Sequence, residues 1–71
     1  MNNYQNHKAQ LQAELLKATK IADIEKMYSL TKQGADIFQP DDTGKTACNY
    51  LRLQDPIKAI ELLRRVMRDA S

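Results

Sequence analysis

Apolar side chains recur at helical spacing in the first part of the chain, and no glycine or proline interrupts residues 4–20. The residues that share this predicted face are Leu11, Leu15, Ala18 and Ala22, with Ala9, Ala13 and Leu16 beside them. Spacings of three and four residues place side chains on one side of an α-helix, because the helix repeats every 3.6 residues. The pattern therefore predicts an amphipathic first helix over about Tyr4 to Lys20.

A second helix is predicted between Asp23 and Gly34. The Asp23 carboxylate can accept a hydrogen bond from an unpaired backbone N–H, and Gly34 can adopt the left-handed conformation that often ends a helix. These limits give a helix of roughly 10 to 12 residues, an ordinary length for a globular protein. Its expected inner face consists of Ile24, Met27, Leu30 and Thr31.

Residues 34–45 contain both glycines and one of the two prolines, so they are predicted to form a loop. Thr46 is the expected N-cap of a short third helix, and Asp55-Pro56 is a strong helix-start signal for a fourth, ending near Asp69. The fourth helix is predicted to carry Ile60, Leu63 and Met67 on one face with Ala59, Leu62 and Val66 beside it, and Lys58, Arg64, Arg65 and Arg68 on its exposed side. The predicted class is all-α, in the order helix, helix, loop, helix, helix.

Two segments of the chain resemble the ankyrin repeat family. "ADIEKMYSLTKQGAD", residues 22–36, resembles the second helix of a repeat and its following Gly-Ala-Asp, and "DDTGKT", residues 41–46, resembles the Asp-x-x-Gly-x-Thr that opens the next repeat. The two segments also have the family's spacing, and the resemblance covers about residues 11–67. It implies a single domain, 1–71, built as a short array of two helix pairs joined by a hairpin-like loop. Repeat one would span about 4–36, the loop 34–45 and repeat two about 41–69.

The chain departs from the family pattern at several positions. Ala47-Cys48-Asn49 follows Thr46 where the family prefers Pro-Leu-His. Leu51-Arg52 replaces a pair of small residues, and Ala22 occupies a turn position at which the family has glycine. Asn49 is expected to retain part of the histidine's hydrogen bonding, and Cys48 to act as a small buried hydrophobe. Arg52 should hinder stacking of a further repeat. The polar first residues and the arginine-rich last helix would then be the caps of a complete, minimal array.

Composition fits one small intracellular domain. The chain has 71 residues, a net charge of +2 and a single cysteine, so no internal disulfide can form and a reducing cytoplasmic compartment is expected. The polar start lacks the apolar run of a signal peptide, and no segment approaches the roughly 18 to 20 apolar residues of a membrane span.

Gly44-Lys45-Thr46 matches the end of a phosphate-binding loop, but the rest of that motif is missing. Gln39 occupies the position of the leading glycine, Pro40 removes a backbone donor, and Asp41 would repel a phosphate. His7 and Cys48 are single residues of their types, too few for a metal site or a nucleophile pair. We therefore expect no catalytic activity, no cofactor and no metal.

The ankyrin resemblance implies a non-catalytic module that binds a protein partner through the hairpin loop and the concave surface of the first helices. By position the contacts would be Lys20, Ile21, Asp42, Thr43, Lys45, Leu53 and Gln54, with Phe38 added as an apolar anchor. The alternative that these are ordinary solvated positions stays open. A nucleic-acid-associated domain using the basic face of the last helix is the second interpretation, and a homodimer through that helix is the third. A membrane-surface helix is disfavoured, because Glu61 and Asp69 interrupt the positive charge.

Overall fold

The computed structural model describes the backbone of residues 3–70 and the side chains of residues 7–69; Met1 and Asn2, at the start of the predicted polar cap, lie outside it. Four helices make up the regular structure of this part of the chain: α1 (Asn3–Lys20), α2 (Ile24–Gln33), α3 (Ala47–Gln54) and α4 (Pro56–Ala70). The predicted all-α class is therefore confirmed. Each predicted helix is present within one or two residues of its expected limits.

The helices form two hairpins that lie side by side. α1 packs against α2 and α3 against α4, while α1 also lies beside α3 and α2 beside α4. The result is two layers, with α1 and α3 in one and α2 and α4 in the other. Leu15, Met27, Leu51 and Leu62, one from each helix, have no exposed surface and meet in the core.

The predicted helix caps are confirmed by hydrogen bonds. The Asp23 carboxylate accepts from the Lys26 N–H at 3.1 Å, and Gly34, with a φ of 124°, ends α2. Thr46 and Asn49 form a reciprocal pair, each side chain accepting from the other's backbone N–H at 3.0 to 3.1 Å. Asn49 thus accepts from the Thr46 N–H, and such a capping box satisfies two backbone donors that a helix start leaves unpaired.

Two expectations about the helix faces are wrong. Ala9 and Ala13 are exposed, because the core-facing stripe of α1 is narrower than predicted and follows Leu11, Leu15 and Ala18. Ile60 and Met67 are 52% and 67% exposed, although they were predicted to lie on the inner face of α4. α4 instead turns four other residues toward the core: Ala59 and Leu62, which are fully buried, and Leu63 and Val66, which are half-buried.

Ala22 makes the tight turn between α1 and α2. Its φ is 52°, the one positive value outside glycine in the described backbone, and its N–H donates to the Thr19 carbonyl at 3.0 Å. A side chain in this left-handed conformation costs roughly 1 to 2 kcal/mol, since Cβ approaches the following carbonyl oxygen. Glycine, which has no Cβ, would adopt this conformation without that cost. Separately, none of the described helices is long and apolar enough to cross a membrane.

Candidate binding surface

The first half of the hairpin loop is fixed to α1 and α3. The Gln12 side chain forms two hydrogen bonds with the Asp36 backbone: it accepts from the N–H at 2.5 Å and donates to the carbonyl at 3.2 Å. Ile37 is buried, and its carbonyl accepts from the Cys48 N–H at 3.3 Å. The Asp36 carboxylate then accepts from the Phe38 N–H at 2.8 Å, a turn in which the aspartate side chain binds the backbone two residues further on. Phe38 therefore has a backbone that is fixed by hydrogen bonds, while the residue is 56% exposed.

Asp41 organises the second half of the loop. Its Oδ1 accepts from the Thr43 N–H at 2.9 Å, the Thr43 hydroxyl at 2.7 Å and the Lys45 N–H at 3.1 Å, while its Oδ2 accepts from the Tyr50 hydroxyl on α3. Gly44, with a φ of 83°, closes the turn by donating its N–H to the Asp41 carbonyl at 2.9 Å. One carboxylate thus links the tip of the loop to a helix.

The charge on Asp41 is stabilised by these donors. The Tyr50 hydroxyl, followed by the Thr43 hydroxyl, holds the pKa of the Asp41 carboxyl well below its ordinary value of 3.8. Two of the amides near the Gly-Lys-Thr sequence, those of Thr43 and Lys45, already donate to this carboxylate. They are therefore not directed toward an external phosphate. The Lys45 ammonium lies 5.8 Å from the centre of the Tyr50 ring, within cation–π range.

A hollow of about 320 Å³ lies where the loop meets α1 and α3. It is lined by Leu16, Thr19, Lys20, Asp41, Tyr50 and Gln54. Its volume is at the lower end of the roughly 300 to 1,000 Å³ typical of ligand pockets, so it suits an inserted side chain better than a cofactor. Leu16 and Tyr50 give it apolar walls, while Lys20 supplies a cation at its edge.

The structure brings some of the predicted contact residues together and separates others. Lys20 and Gln54 share the hollow, but Ile21 lies in a different groove with Lys17 and Lys26. Leu53 is 74% exposed and Asp42 is also exposed, so both are accessible.

The side chains of two predicted contacts already donate hydrogen bonds within the chain. The Gln54 side chain donates to the Thr19 carbonyl at 2.8 Å and so joins α3 to α1, and the Thr43 hydroxyl donates to Asp41. Tyr50 and Leu16 were not among the predicted contacts. Leu16 was predicted to lie beside the apolar face of the first helix, and Tyr50 in the helix that Thr46 caps. Nothing local to them indicated that a loop carboxylate would meet Tyr50 across nine residues.

The basic face of α4 is partly used for packing against α2. Arg65 donates to Glu25 at 2.7 Å, an ion pair that raises the pKa of the Arg65 guanidinium. The Tyr28 hydroxyl donates to the Asp69 carboxylate, and this hydrogen bond raises the pKa of Tyr28. Together the two pairs join the first half of α2 to the second half of α4. Arg65 thus already forms an ion pair within the chain.

The described side chains provide little for metal binding or for thiol chemistry. Among residues whose side chains are described, no three His, Cys, Asp or Glu lie close enough together to hold a metal ion. Cys48 is buried, as predicted, and burial raises the pKa of its thiol. A raised thiol pKa lowers the thiolate fraction, and the thiolate is the nucleophilic form.

Comparison of the chain with known protein families, with curated protein sequences and with solved structures finds no match in any of the three.

Proposed function

We propose that this chain is a non-catalytic, ankyrin-like module that binds a protein partner through its hairpin loop and the adjoining concave surface of α1 and α3. The observation that carries the proposal is the pairing of an internally braced loop with an apolar hollow at its base. Phe38, Asp42 and Lys45 are exposed on that loop, and Lys20 stands at the edge of the hollow.

The helix arrangement supports the ankyrin-like part of the proposal. In a helical-repeat array each helix pair stacks on the next, so first helices lie beside first helices and second beside second. The same neighbours occur here, with α1 beside α3 and α2 beside α4. The left-handed turn at Ala22 and the capping pair of Thr46 and Asn49 add local support, because they stand where the family has a turn glycine and a Thr-x-x-His cap.

The bracing of the loop supports a role in recognition. A loop that is already ordered loses little conformational entropy on binding, which favours affinity. Asp41 and Gln12 hold the loop from two sides, so the exposed side chains between them have a defined backbone. An aromatic anchor beside charges of both signs is a common composition for a specific protein contact.

The experiment that tests this function is capture from the native source followed by quantitative mass spectrometry. The wild-type chain is compared with a variant carrying Phe38→Ala, Asp42→Ala and Lys45→Ala, whose helical content is checked by circular dichroism. Since these side chains are exposed, the variant should fold, and proteins retained by the wild type should be lost. Equal capture by both chains would reject this surface.

A salt titration distinguishes nucleic-acid binding through α4 from protein binding through the hairpin loop. Binding to phosphates through several arginines weakens steeply with salt, because bound counterions are released. The ion pair between Arg65 and Glu25 reduces the charge that α4 can offer, and we therefore rank this function second.

A further inference from the structure

Helix α4 carries a second apolar stripe that does not face the core. Ile57, Ile60, Arg64 and Met67 follow one another at spacings of three, four and three residues. The three apolar members are 78%, 52% and 67% exposed, respectively. A three-four spacing is the pattern by which one helix packs along another. Large apolar side chains that are grouped in this way on a surface usually mark an interaction site.

Ile60, Arg64 and Met67 of the stripe lie on the flank of α4 that points away from α2. Arg65 and Asp69 make the contacts to α2 described above, and Lys58 donates to the Ala22 carbonyl at 3.4 Å. At about 100° per residue, Ile60 lies about 140° around the helix from Arg65, and Met67 about 160° from Asp69. No described helix covers this flank.

Helix α3 contributes a charge to the same side of the molecule. The Gln54 side chain reaches α1, whereas Arg52 lies about 160° around α3 from Gln54 and is exposed. Arg52 therefore stands on the flank of α3 away from α1. Since α1 lies beside α3 and α2 beside α4, that flank and the uncovered flank of α4 are on the same side of the molecule. We call the residues Arg52, Ile57, Ile60, Arg64 and Met67 the end face.

We propose that the end face binds an amphipathic α-helix with an acidic border, a site separate from the hairpin surface. The apolar stripe would receive apolar side chains at three-four spacing from the incoming helix. Carboxylates flanking those side chains would meet Arg52 and Arg64, and arginine is well suited to carboxylates because its planar guanidinium can pair with both oxygens. A shallow groove beside the stripe, lined by Ile57, Ile60, Glu61, Arg64, Arg65 and Arg68, follows the helix axis.

Charge argues against a second copy of the chain as the occupant. A symmetric pair would bring Arg52 and Arg64 of each copy to one interface, because such an interface uses the same patch on both partners. Glu61, beside the stripe, balances only part of that charge. The carboxylates of an acidic helix would pair with these arginines, whereas a second copy would add more positive charge to the interface.

Two matched synthetic peptides test the proposal directly. Both are about three heptads long with leucine at the a and d positions, and they carry glutamate or lysine at e and g. Like charges at e and g discourage each peptide from pairing with itself. The full chain, labelled at isoleucine and methionine methyl groups, is titrated with each peptide by NMR. We expect saturable shifts at Ile57, Ile60 and Met67 but not at Ile21, and affinity for the acidic peptide about tenfold higher.

Variants of exposed residues make the test specific. Ile60→Ser with Met67→Ser should abolish binding, whereas Ile21→Ser, a matched change at an isoleucine that is 73% exposed, should not. Arg64→Glu should reduce or reverse the preference for the acidic peptide. Equal affinity for both peptides, or no saturable shift at the stripe, overturns the proposal. So does sedimentation that finds a wild-type dimer abolished by the serine changes, because the second copy would then be the occupant.

Discussion

The hydroxyl of Tyr50 on α3 donates a hydrogen bond to the carboxylate of Asp41, nine residues earlier in the hairpin loop. The same carboxylate accepts from the Thr43 and Lys45 amides. The tip of the loop is therefore attached to the helical scaffold at Tyr50, whose hydroxyl also lies 3.4 Å from the Thr43 hydroxyl. The conformation of the loop tip depends on these hydrogen bonds.

Tyr50→Phe should loosen the loop without disturbing the helices. Removal of the hydroxyl leaves Asp41 with its local bonds but without its link to α3. We expect faster hydrogen exchange at the Thr43 and Lys45 amides and a thermal midpoint lower by a few degrees. Tyr28→Phe is the matched control, since it removes the other Tyr–Asp bond, to Asp69, and should leave loop exchange unchanged.

The depressed pKa of Asp41 predicts a loss of stability in acid. The folded state lowers this pKa below its ordinary value of 3.8, so the unfolded chain binds the proton more readily. The contribution of Asp41 is complete above about pH 5 and is lost as the pH falls through 3.8 toward the folded value. Urea unfolding between neutral and acidic pH measures it. Asp41→Asn should be less stable at neutral pH and show a shallower acid decline; an unchanged slope would contradict the role given to Asp41.

Ala22→Gly should stabilise the protein. Glycine removes the steric cost of the 52° φ, while it adds flexibility to the unfolded chain. Because the steric cost that is removed is larger than the cost of the added flexibility, the free energy of unfolding should rise by about 0.5 to 1 kcal/mol, measured by urea titration. Ala18→Gly, at a buried position within α1, should destabilise instead. A destabilised Ala22→Gly variant would show that the turn is not strained.

Leu62 and Ile60 provide a direct test of which face of α4 enters the core. Leu62→Ala should lower the free energy of unfolding by about 2 to 5 kcal/mol, because a fully buried leucine leaves a cavity. Ile60→Ala should change it by less than about 0.5 kcal/mol, as expected for an exposed position. Comparable losses from the two changes would indicate a different packing of α4.

The helices were predictable from the sequence because their start and stop signals are local. Asp23, Gly34, Thr46 and Asp55 each act within three or four residues, and each caps or ends a helix as expected. The all-α class followed from these signals and from the apolar spacing.

The faces of α4 were not predictable in the same way. Apolar residues surround more than half of this helix, so periodicity alone does not say whether Ile60 or Leu62 is buried. Contacts with α2 decide it, through Arg65 and Asp69. The pairing of Asp41 with Tyr50 is also tertiary, because the loop path that brings them together depends on how Ile37 and Gln12 anchor it.

The most direct test of the proposed hairpin surface is site-specific photocrosslinking. A photoreactive phenylalanine analogue replaces Phe38, and the same analogue at Gln33, an exposed position on α2 outside the proposed surface, serves as the control. We expect a discrete protein from the native source to be crosslinked at position 38 and not at position 33. The absence of crosslinking at position 38, or equal crosslinking at both, would contradict it.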